Sequence, residues 1–316
     1  MKFEKIIPIL KGIILHLPGV KTVLKKSTGG TNNSRYCYSV WLRHLAMLAG
    51  NNSSEIPSTV AELGPGDSPG TGLAALLSGC KKYHGLDVVR YWDTKRNLQI
   101  FDELTALFKG RAPIPDSAEF PSVRPEPGTF AFPSRILTDA LLSESLSDDR
   151  LEAIRREICH PADPGNKFIF CQIPWFESDT LDSKSVDFIF SQAVLGCVDD
   201  LENTYLAMSR WLKPGGYMSH TIDFKSHGIT KSWNGYWTFN DLEWALAKGG
   251  RPFLMNRFPY SQHIALHQKF GFKILAMASV RLENHLPTHK LFKRYKPLNT
   301  EELTTGGIYV LSRKEP

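Results

Sequence analysis

The sequence of 316 residues lacks the cysteine pattern of a structural zinc site or of a disulfide framework. Its five cysteines are odd in number and far apart, and no CxxC pair or Cys/His cluster occurs. Zinc sites and disulfide-stapled domains both depend on such spacing. We therefore expect buried free thiols in a reducing compartment, a cytoplasmic protein, and no metal site.

Long apolar runs are also missing. Residues 1–26 mix lysines with aliphatic residues, but Pro8, Lys11 and Pro18 interrupt an apolar stretch that is too short to cross a bilayer. No small-residue cleavage site follows it, which argues against a signal peptide. Two interpretations stay open. The favoured one is a helical cap on its own domain or on a second subunit of a homodimer; the other is a basic amphipathic segment resting on the inner membrane surface.

Acidic residues are scarce at the start of the chain. The first 50 residues carry eight Lys or Arg against one acid, Glu4, whereas the whole chain has a net charge of +6. The remaining residues are therefore close to neutral. Nucleic-acid binding would favour a basic surface spread over the catalytic body, so we predict no nucleic-acid partner.

From Ser58 onward, short strands alternate with helices, which predicts an α/β fold with a doubly wound, mostly parallel sheet. Five strands and a closing pair near the C-terminus give a seven-stranded, Rossmann-like sheet. Six prolines between positions 111 and 133 exclude regular structure there. We expect a basic helical arm or cap over 1–55 and a catalytic domain over 56–316, whose insertions 110–160 and 225–260 cover the substrate.

A glycine-rich loop follows the first strand. Gly64, Gly66 and Gly70 lie between a strand and a helix, where backbone without side chains can turn tightly and approach a ligand. The spacing GxGxxxG differs from the GxGxxG of a dinucleotide site. Glu62 suits the ammonium of a methionine moiety better than two phosphates. Asp87, at the end of the second strand, can accept hydrogen bonds from both ribose hydroxyls.

Three stretches resemble the seven-stranded class I S-adenosylmethionine-dependent methyltransferases over residues 58–224: VAELGPGDSPGTG, YHGLDV and SVDFIFSQAVLGCVDDLENTYLAMSRWLKPGGYMSH. The resemblance implies the cofactor S-adenosyl-L-methionine, lying across the carboxyl ends of the strands. The residues expected to bind it are Glu62, Gly64, Pro65, Gly66, Asp67, Gly70, Asp87, Val88, Trp175, Ser191 and Gln192.

The chain departs from the family pattern at two places. LGCV at 195–198 stands where many relatives carry Glu-His, and the third strand ends in Ile173-Pro174-Trp175 instead of an acid near the adenine amino group. Trp175 can stack on adenine or pack as an ordinary aromatic. The adenine contacts therefore stay open.

The segment after the fifth strand indicates the acceptor side. A hydroxyl acceptor needs a base to take its proton, and histidine suits neutral pH. The predicted catalytic residues are His220, Asp223 and His227; each histidine can instead be an ordinary core residue. An aromatic stretch suits a sugar ring, which predicts that Trp233, Asn234, Trp237 and His263 bind substrate. A packed insertion covering the sheet edge is the alternative.

These residues predict methyl transfer to an oxygen, a sugar hydroxyl on a glycan or glycan precursor. The stretch from Asp223 to Trp237 resembles a bacterial group associated with surface-polysaccharide pathways. The alternatives are a small-molecule natural-product methyltransferase and a non-catalytic cofactor-binding scaffold, which the LGCV departure keeps open. An NAD-dependent oxidoreductase is disfavoured by the glycine spacing and by Glu62.

Overall fold

The computed structural model describes residues 2–15, 29–51, 55–175, 177–251 and 253–315. One sheet has the strand order β3-β2-β1-β4-β5-β7-β6. The strands β1 to β5 are mutually parallel, and β7 is antiparallel to both β5 and β6. This arrangement confirms the predicted α/β fold with a mostly parallel, seven-stranded, Rossmann-like sheet. The strands are β1 (Thr59–Leu63), β2 (Lys82–Leu86), β3 (Ile169–Gln172), β4 (Val186–Gln192), β5 (Leu212–Asp223), β6 (Phe272–Arg281) and β7 (Thr305–Lys314).

Helices cover both faces of the sheet. They are α1 (Lys2–Ile14), α2 (Ser34–Gly50), α3 (Gly70–Leu77), α4 (Thr94–Lys109), α5 (Asp139–Ser145), α6 (Asp148–Cys159), α7 (Leu201–Trp211), α8 (Asp241–Lys248), α9 (Tyr260–Lys269) and α10 (Thr300–Thr304). No helix in the described ranges is long and apolar enough to span a membrane.

Alternation of side chains along the strands divides the core into two layers. Phe188 and Phe190 of β4 belong to the layer formed with α2, α3, α4 and α6, whereas Ile189 belongs to the layer formed with α7, α8 and α9. Trp41 of α2 contacts both phenylalanine rings, with centroids 6.2 and 5.5 Å away. The helix α2 is thus an integral part of the first layer.

The proline-rich segment 111–133 contains neither helix nor strand, as its composition predicts. Arg43, a fully buried residue of α2, donates hydrogen bonds to the carbonyls of Val123 at 2.7 Å and Pro115 at 2.8 Å. Thr221, near the end of β5, donates to the carbonyl of Arg124 at 3.0 Å. The segment is therefore fixed between α2 and the carboxyl end of β5.

Candidate active site

The loop between β1 and α3 has a backbone that only glycine adopts easily. Gly64 and Gly66 have φ values of 66° and 70°, in the left-handed region. A Cβ on Gly64 would lie 2.5 Å from Cγ2 of Val194, so the loop closely approaches the segment after β4. Both glycines are half-buried, whereas Pro65 between them is buried. The two glycines are therefore the positions at which this loop is open to a ligand.

Asp87 connects this loop to the end of β2. Its Oδ2 accepts a hydrogen bond from the N–H of Gly66 at 3.1 Å, and its Oδ1 accepts from the N–H groups of Val88 at 2.7 Å and Val89 at 3.2 Å. Burial raises the pKa of Asp87, and the three N–H donors act in the opposite direction. The structure thus brings Gly66, Asp87 and Val88 together, as the sequence predicts.

Glu62 occupies a different place from the one predicted for it. Its side chain is buried beneath the loop, where Oε2 accepts a hydrogen bond from the hydroxyl of Tyr83 at 2.7 Å. Burial raises the pKa of Glu62 to about 8. A carboxyl group at this depth is not open to a ligand's ammonium group, so its placement does not support that predicted contact. Its observed contact holds β1 against β2.

Arg96 and Ser68, which were not predicted from the sequence, fix the conformation of the glycine loop. Arg96 of α4 donates to the carbonyls of Asp67 and Tyr91. The hydroxyl of Ser68 donates to the carbonyl of Thr31, and the N–H of Gly70 donates to the Ser68 hydroxyl at 3.1 Å. The buried Asp67 and Gly70 therefore shape the loop from inside.

The end of β3 carries a buried acceptor. Oε1 of Gln172 has no hydrogen-bond partner among the described residues, and the backbone carbonyl of Gln172 accepts from the N–H of Asp87. Trp175 follows: its N–H donates to the Asp87 carbonyl at 3.2 Å, and its ring packs edge-on against Trp211 with centroids 5.4 Å apart. Gln172 immediately precedes Ile173-Pro174-Trp175, the stretch that the family pattern places near the adenine, so its position in the sequence was a usable signal.

Ser191 and Gln192, two predicted site residues at the end of β4, point to opposite faces of the sheet. Ser191 Oγ lies 2.8 Å from Nδ1 of His220, and both residues are fully buried. Burial holds the pKa of His220 well below its ordinary value. Gln192 Oε1 lies 3.3 Å from Nε2 of His44 on α2, a buried histidine that the sequence analysis missed. His220 therefore lies in the core, away from the open edge.

Asp223 and His227 meet at the carboxyl end of β5. Oδ2 of Asp223 lies 3.7 Å from Nε2 of His227 and 3.1 Å from Nζ of Lys225. The His227 side chain is 54% exposed, against 18% for Asp223. The structure thus brings together two of the three predicted catalytic residues at an accessible edge.

The predicted sugar-binding residues are packed against other parts of the chain. The ring of Trp237 stacks on Tyr295 with centroids 5.4 Å apart, and Trp233 packs edge-on against Trp237. Asn234 donates to the carbonyl of Leu286 at 3.1 Å and accepts from its N–H at 2.8 Å. These side chains form packing in place of the open aromatic surface that the sequence predicts.

His263 is likewise covered. It is fully buried on α9, and its Nδ1 lies 3.2 Å from the hydroxyl of Tyr205. Burial lowers the pKa of His263 to about 3. The structure therefore does not bring this residue to a surface where it could meet a substrate.

Comparison with known proteins adds an independent observation. A methyltransferase domain model matches residues 150–219, which run from α6 through β3, β4 and α7 into β5. No curated protein sequence matches the chain.

Solved structures with a similar arrangement are distant in sequence. A protein assigned as a sarcosine dimethylglycine methyltransferase from Galdieria sulphuraria has 15% identity and a TM-score of 0.45, with 87% of this chain and 85% of that chain covered. A SAM-dependent methyltransferase from Methanosarcina mazei has 14% identity and a TM-score of 0.41, with 85% and 97% covered. Phosphoethanolamine N-methyltransferase 2 from Haemonchus contortus has 12% identity and a TM-score of 0.41, with 87% and 53% covered.

The strand order defines the chain as a Rossmann-like α/β protein with an antiparallel final strand inserted beside β5. With the methyltransferase domain match, it is an enzyme, an S-adenosylmethionine-dependent methyltransferase. Residues of the loop and strand ends fit the cofactor S-adenosyl-L-methionine. Gly64 and Gly66 permit a close backbone approach, Asp87 presents a carboxylate, and Gln172 holds an acceptor with no protein partner in the described ranges.

Proposed function

We propose that this enzyme methylates a hydroxyl group. In a narrower form of the proposal, the acceptor is a sugar hydroxyl on a glycan or glycan precursor. The pairing of Asp223 with His227 at the end of β5 carries the proposal. A hydroxyl is a poor nucleophile until it loses its proton, so an oxygen acceptor calls for a base at this edge.

His227 is suited to be that base. Oδ2 of Asp223 lies 3.7 Å from its Nε2, so a small movement of either side chain would form a hydrogen bond that keeps the proton on this nitrogen and leaves Nδ1 to accept another. Asp223 also stabilises the imidazolium that forms when a proton is taken up. Because Lys225 contacts the same carboxylate at 3.1 Å, Asp223 is held in place from two sides. His220, which is bonded to Ser191 in the core, has no such access.

The cofactor, when bound, supplies a methyl group on a positively charged sulfur. We assign Asp87 to its ribose hydroxyls, Gly64 and Gly66 to the close backbone approach, and Gln172 to the amino group of its adenine. Glu62 is proposed as a positioning residue, because its carboxyl group contacts Tyr83 beneath the loop.

The acceptor would meet a polar surface. His227 and Lys231 are exposed in the segment after β5, and Lys225 is half-buried beside them. Such side chains suit hydroxyl-rich ligands through hydrogen bonds. The contact of Thr221 with the carbonyl of Arg124 brings the proline-rich segment to the same strand end. We therefore propose that insertions 110–160 and 225–260 border the acceptor, with Trp237 supporting the second insertion from inside.

Methyl transfer to a panel of acceptors tests this proposal. We expect turnover with hydroxyl acceptors. The narrower form of the proposal predicts that nucleotide sugars and oligosaccharides are among them. His227→Gln should lower kcat about 10²-fold or more. Asp223→Asn should act in the same direction, and calorimetric affinity for S-adenosylmethionine should be unchanged in both variants. His289→Gln, at an exposed histidine, is the matched control.

Two results would contradict the proposal. If the enzyme methylated amines and no hydroxyl compound, the proposal of an oxygen acceptor would be wrong. Full activity of His227→Gln on a hydroxyl acceptor would show that His227 is not the base. Turnover of phenols or other small hydroxyl compounds, with none of sugars, would leave the base in place and overturn the glycan part alone.

A further inference from the structure

Two helices, α1 and α8, carry most of the exposed aliphatic side chains of the described residues. Among the described residues, Leu206 and Met277 are the only large exposed hydrophobic residues elsewhere. The others define what we call the α1–α8 patch: Ile6, Ile7, Leu10, Ile13 and Ile14 on α1, and Leu242 and Leu246 on α8. Leu242 is 71% exposed and Ile7 60%. Contiguous apolar surface of this kind marks an interaction site in a folded protein.

The helix α1 is held with this face outward. Lys5 donates to Glu243 at 2.6 Å and to the carbonyl of Thr238 at 2.8 Å. A Cβ on Gly12 would come within 1.9 Å of the carbonyl oxygen of Leu246, so the two helices are in backbone contact. The inward side of α1 is buried at Pro8 and Gly12, and Leu15, the residue after the helix, is also buried. Because side chains three and four positions apart share a helix face, the exposed isoleucines and leucine of α1 form an outward stripe, whereas Ile9 packs against the core.

The charges around the patch are positive on balance. Lys11 is exposed on α1, and the sequence of residues 1–26 carries six lysines against one acid. Glu4 is the one acid of α1, and three acidic side chains on or near α8 contact basic groups: Glu243 contacts Lys5, Asp241 contacts Arg257, and Asp199 contacts Lys248. An apolar helix face accompanied by lysines is the composition of a helix that lies in the interface of an anionic membrane.

We propose that the α1–α8 patch docks this protein onto an anionic lipid surface. A second copy of the chain fits less well, because the core of a protein–protein interface is enriched in aromatic, methionine and arginine side chains. The described exposed apolar side chains of this patch are isoleucine and leucine. They would enter the boundary between headgroups and acyl chains while the lysines contact the headgroups. This docking does not depend on which acceptor is methylated.

Sedimentation of the full-length protein with lipid vesicles tests the proposal. We expect binding to vesicles of phosphatidylcholine mixed with phosphatidylglycerol, weaker binding to phosphatidylcholine alone, and a decrease with added salt. Ile6→Asn combined with Leu242→Asn should lower the partition coefficient about tenfold or more. Lys11→Gln should lower it about fivefold. Leu206→Asn is the control, because Leu206 and Ile6 are both 46% exposed.

Several outcomes would overturn the docking surface. One is equal sedimentation with and without vesicles; another is an equal loss of lipid binding in Leu206→Asn. A concentration-dependent dimer in ultracentrifugation that Ile6→Asn abolishes, without lipid binding, would assign the patch to a second copy. Calorimetric binding of S-adenosylmethionine to every variant confirms that each one is folded. Since vesicle binding needs no acceptor, its failure is distinguishable from failure of the proposed methylation.

Discussion

The carboxylate of Asp87 and the backbone N–H of Gly66 form a 3.1 Å hydrogen bond between the end of β2 and the glycine loop. The same carboxylate accepts two further N–H groups, from Val88 and Val89. An ionised carboxylate offers about four lone-pair directions, so Asp87 can hold the loop and still accept a ligand hydroxyl. The side chain of Asp87 therefore fixes the conformation of the glycine loop and also offers a carboxylate to a ligand beside it.

Asp87→Asn should weaken the binding of S-adenosylmethionine about tenfold or more, because hydrogen bonds to a charged acceptor are stronger than those to a neutral amide. Isothermal calorimetry measures the change. Asp179→Asn, at an exposed position, is the control. Unchanged affinity in Asp87→Asn would remove this residue from the cofactor site.

Glu62→Gln should change cofactor affinity less than Asp87→Asn does, and should change the pH dependence of stability more. With a pKa raised to about 8, the folded protein keeps a proton that the unfolded chain releases near pH 4.5. The free energy of unfolding therefore falls as the pH rises through this window, by about 1.4 kcal/mol per pH unit at most.

Urea titrations at a series of pH values should show this slope flattened in Glu62→Gln and retained in Glu283→Gln, at an exposed acid. A larger loss of cofactor affinity in Glu62→Gln than in Asp87→Asn would instead restore Glu62 as a direct ligand.

The sheet and the glycine loop were predictable because their signals are local. Strand alternation, glycine spacing and an acid at a strand end are read within a few residues. The direction of Glu62 was harder, since β1 is buried on both faces and its pattern reads as a continuous run rather than an alternation. Its partner Tyr83 lies on another strand.

The aromatic stretch after β5 shows where such local information ends. Residues that suit a sugar ring also suit a packed core, and the choice depends on what covers them. Tyr295 covers Trp237, and the backbone of Leu286 contacts Asn234. Both come from a segment about 50 or more residues further along the chain. Nothing within the stretch itself predicts those contacts.

Trp237→Ala should lower the free energy of unfolding by about 3 kcal/mol or more, because it removes a buried ring that stacks on Tyr295. Leu206→Ala, at an exposed position on α7, should change it by about 0.5 kcal/mol or less. Chemical denaturation measures both. A Trp237→Ala variant of normal stability with a raised KM for a sugar would return this residue to the substrate site.

Buried histidines should make the protein sensitive to acid. Burial lowers the pKa of His263 to about 3 and that of His267 to about 4. An unfolded histidine takes up its proton near pH 6.5. Stability is therefore full above this pH and is lost as the pH falls towards the folded values, by about 1.4 kcal/mol per pH unit for one histidine. His263→Gln should reduce the slope between pH 6 and about 4, and His289→Gln, at an exposed site, should not.

Two arginines of α2 contact the proline-rich segment in contrasting ways. Arg43 is fully buried and donates to the carbonyls of Val123 and Pro115, whereas Arg35 pairs with Glu119 at the surface. Arg43→Met removes a buried charged donor from both carbonyls, which then keep only Ser39 and Arg124 as donors, and should cost about 3 kcal/mol of stability. Arg35→Met should cost about 1 kcal/mol or less, because exposed ion pairs contribute little.

Limited proteolysis locates the effect of these two substitutions. Cleavage within 111–133 should become faster in Arg43→Met under native conditions and stay near the wild-type rate in Arg35→Met, because Arg43 bonds to backbone carbonyls of the segment whereas Arg35 bonds to the side chain of Glu119. Equal protection in both variants would mean that the other contacts of the segment suffice, among them the hydrogen bond from Thr221 to the carbonyl of Arg124. Faster cleavage together with a raised KM for the acceptor would connect the segment to the substrate side, since Thr221 lies on β5 two residues before Asp223.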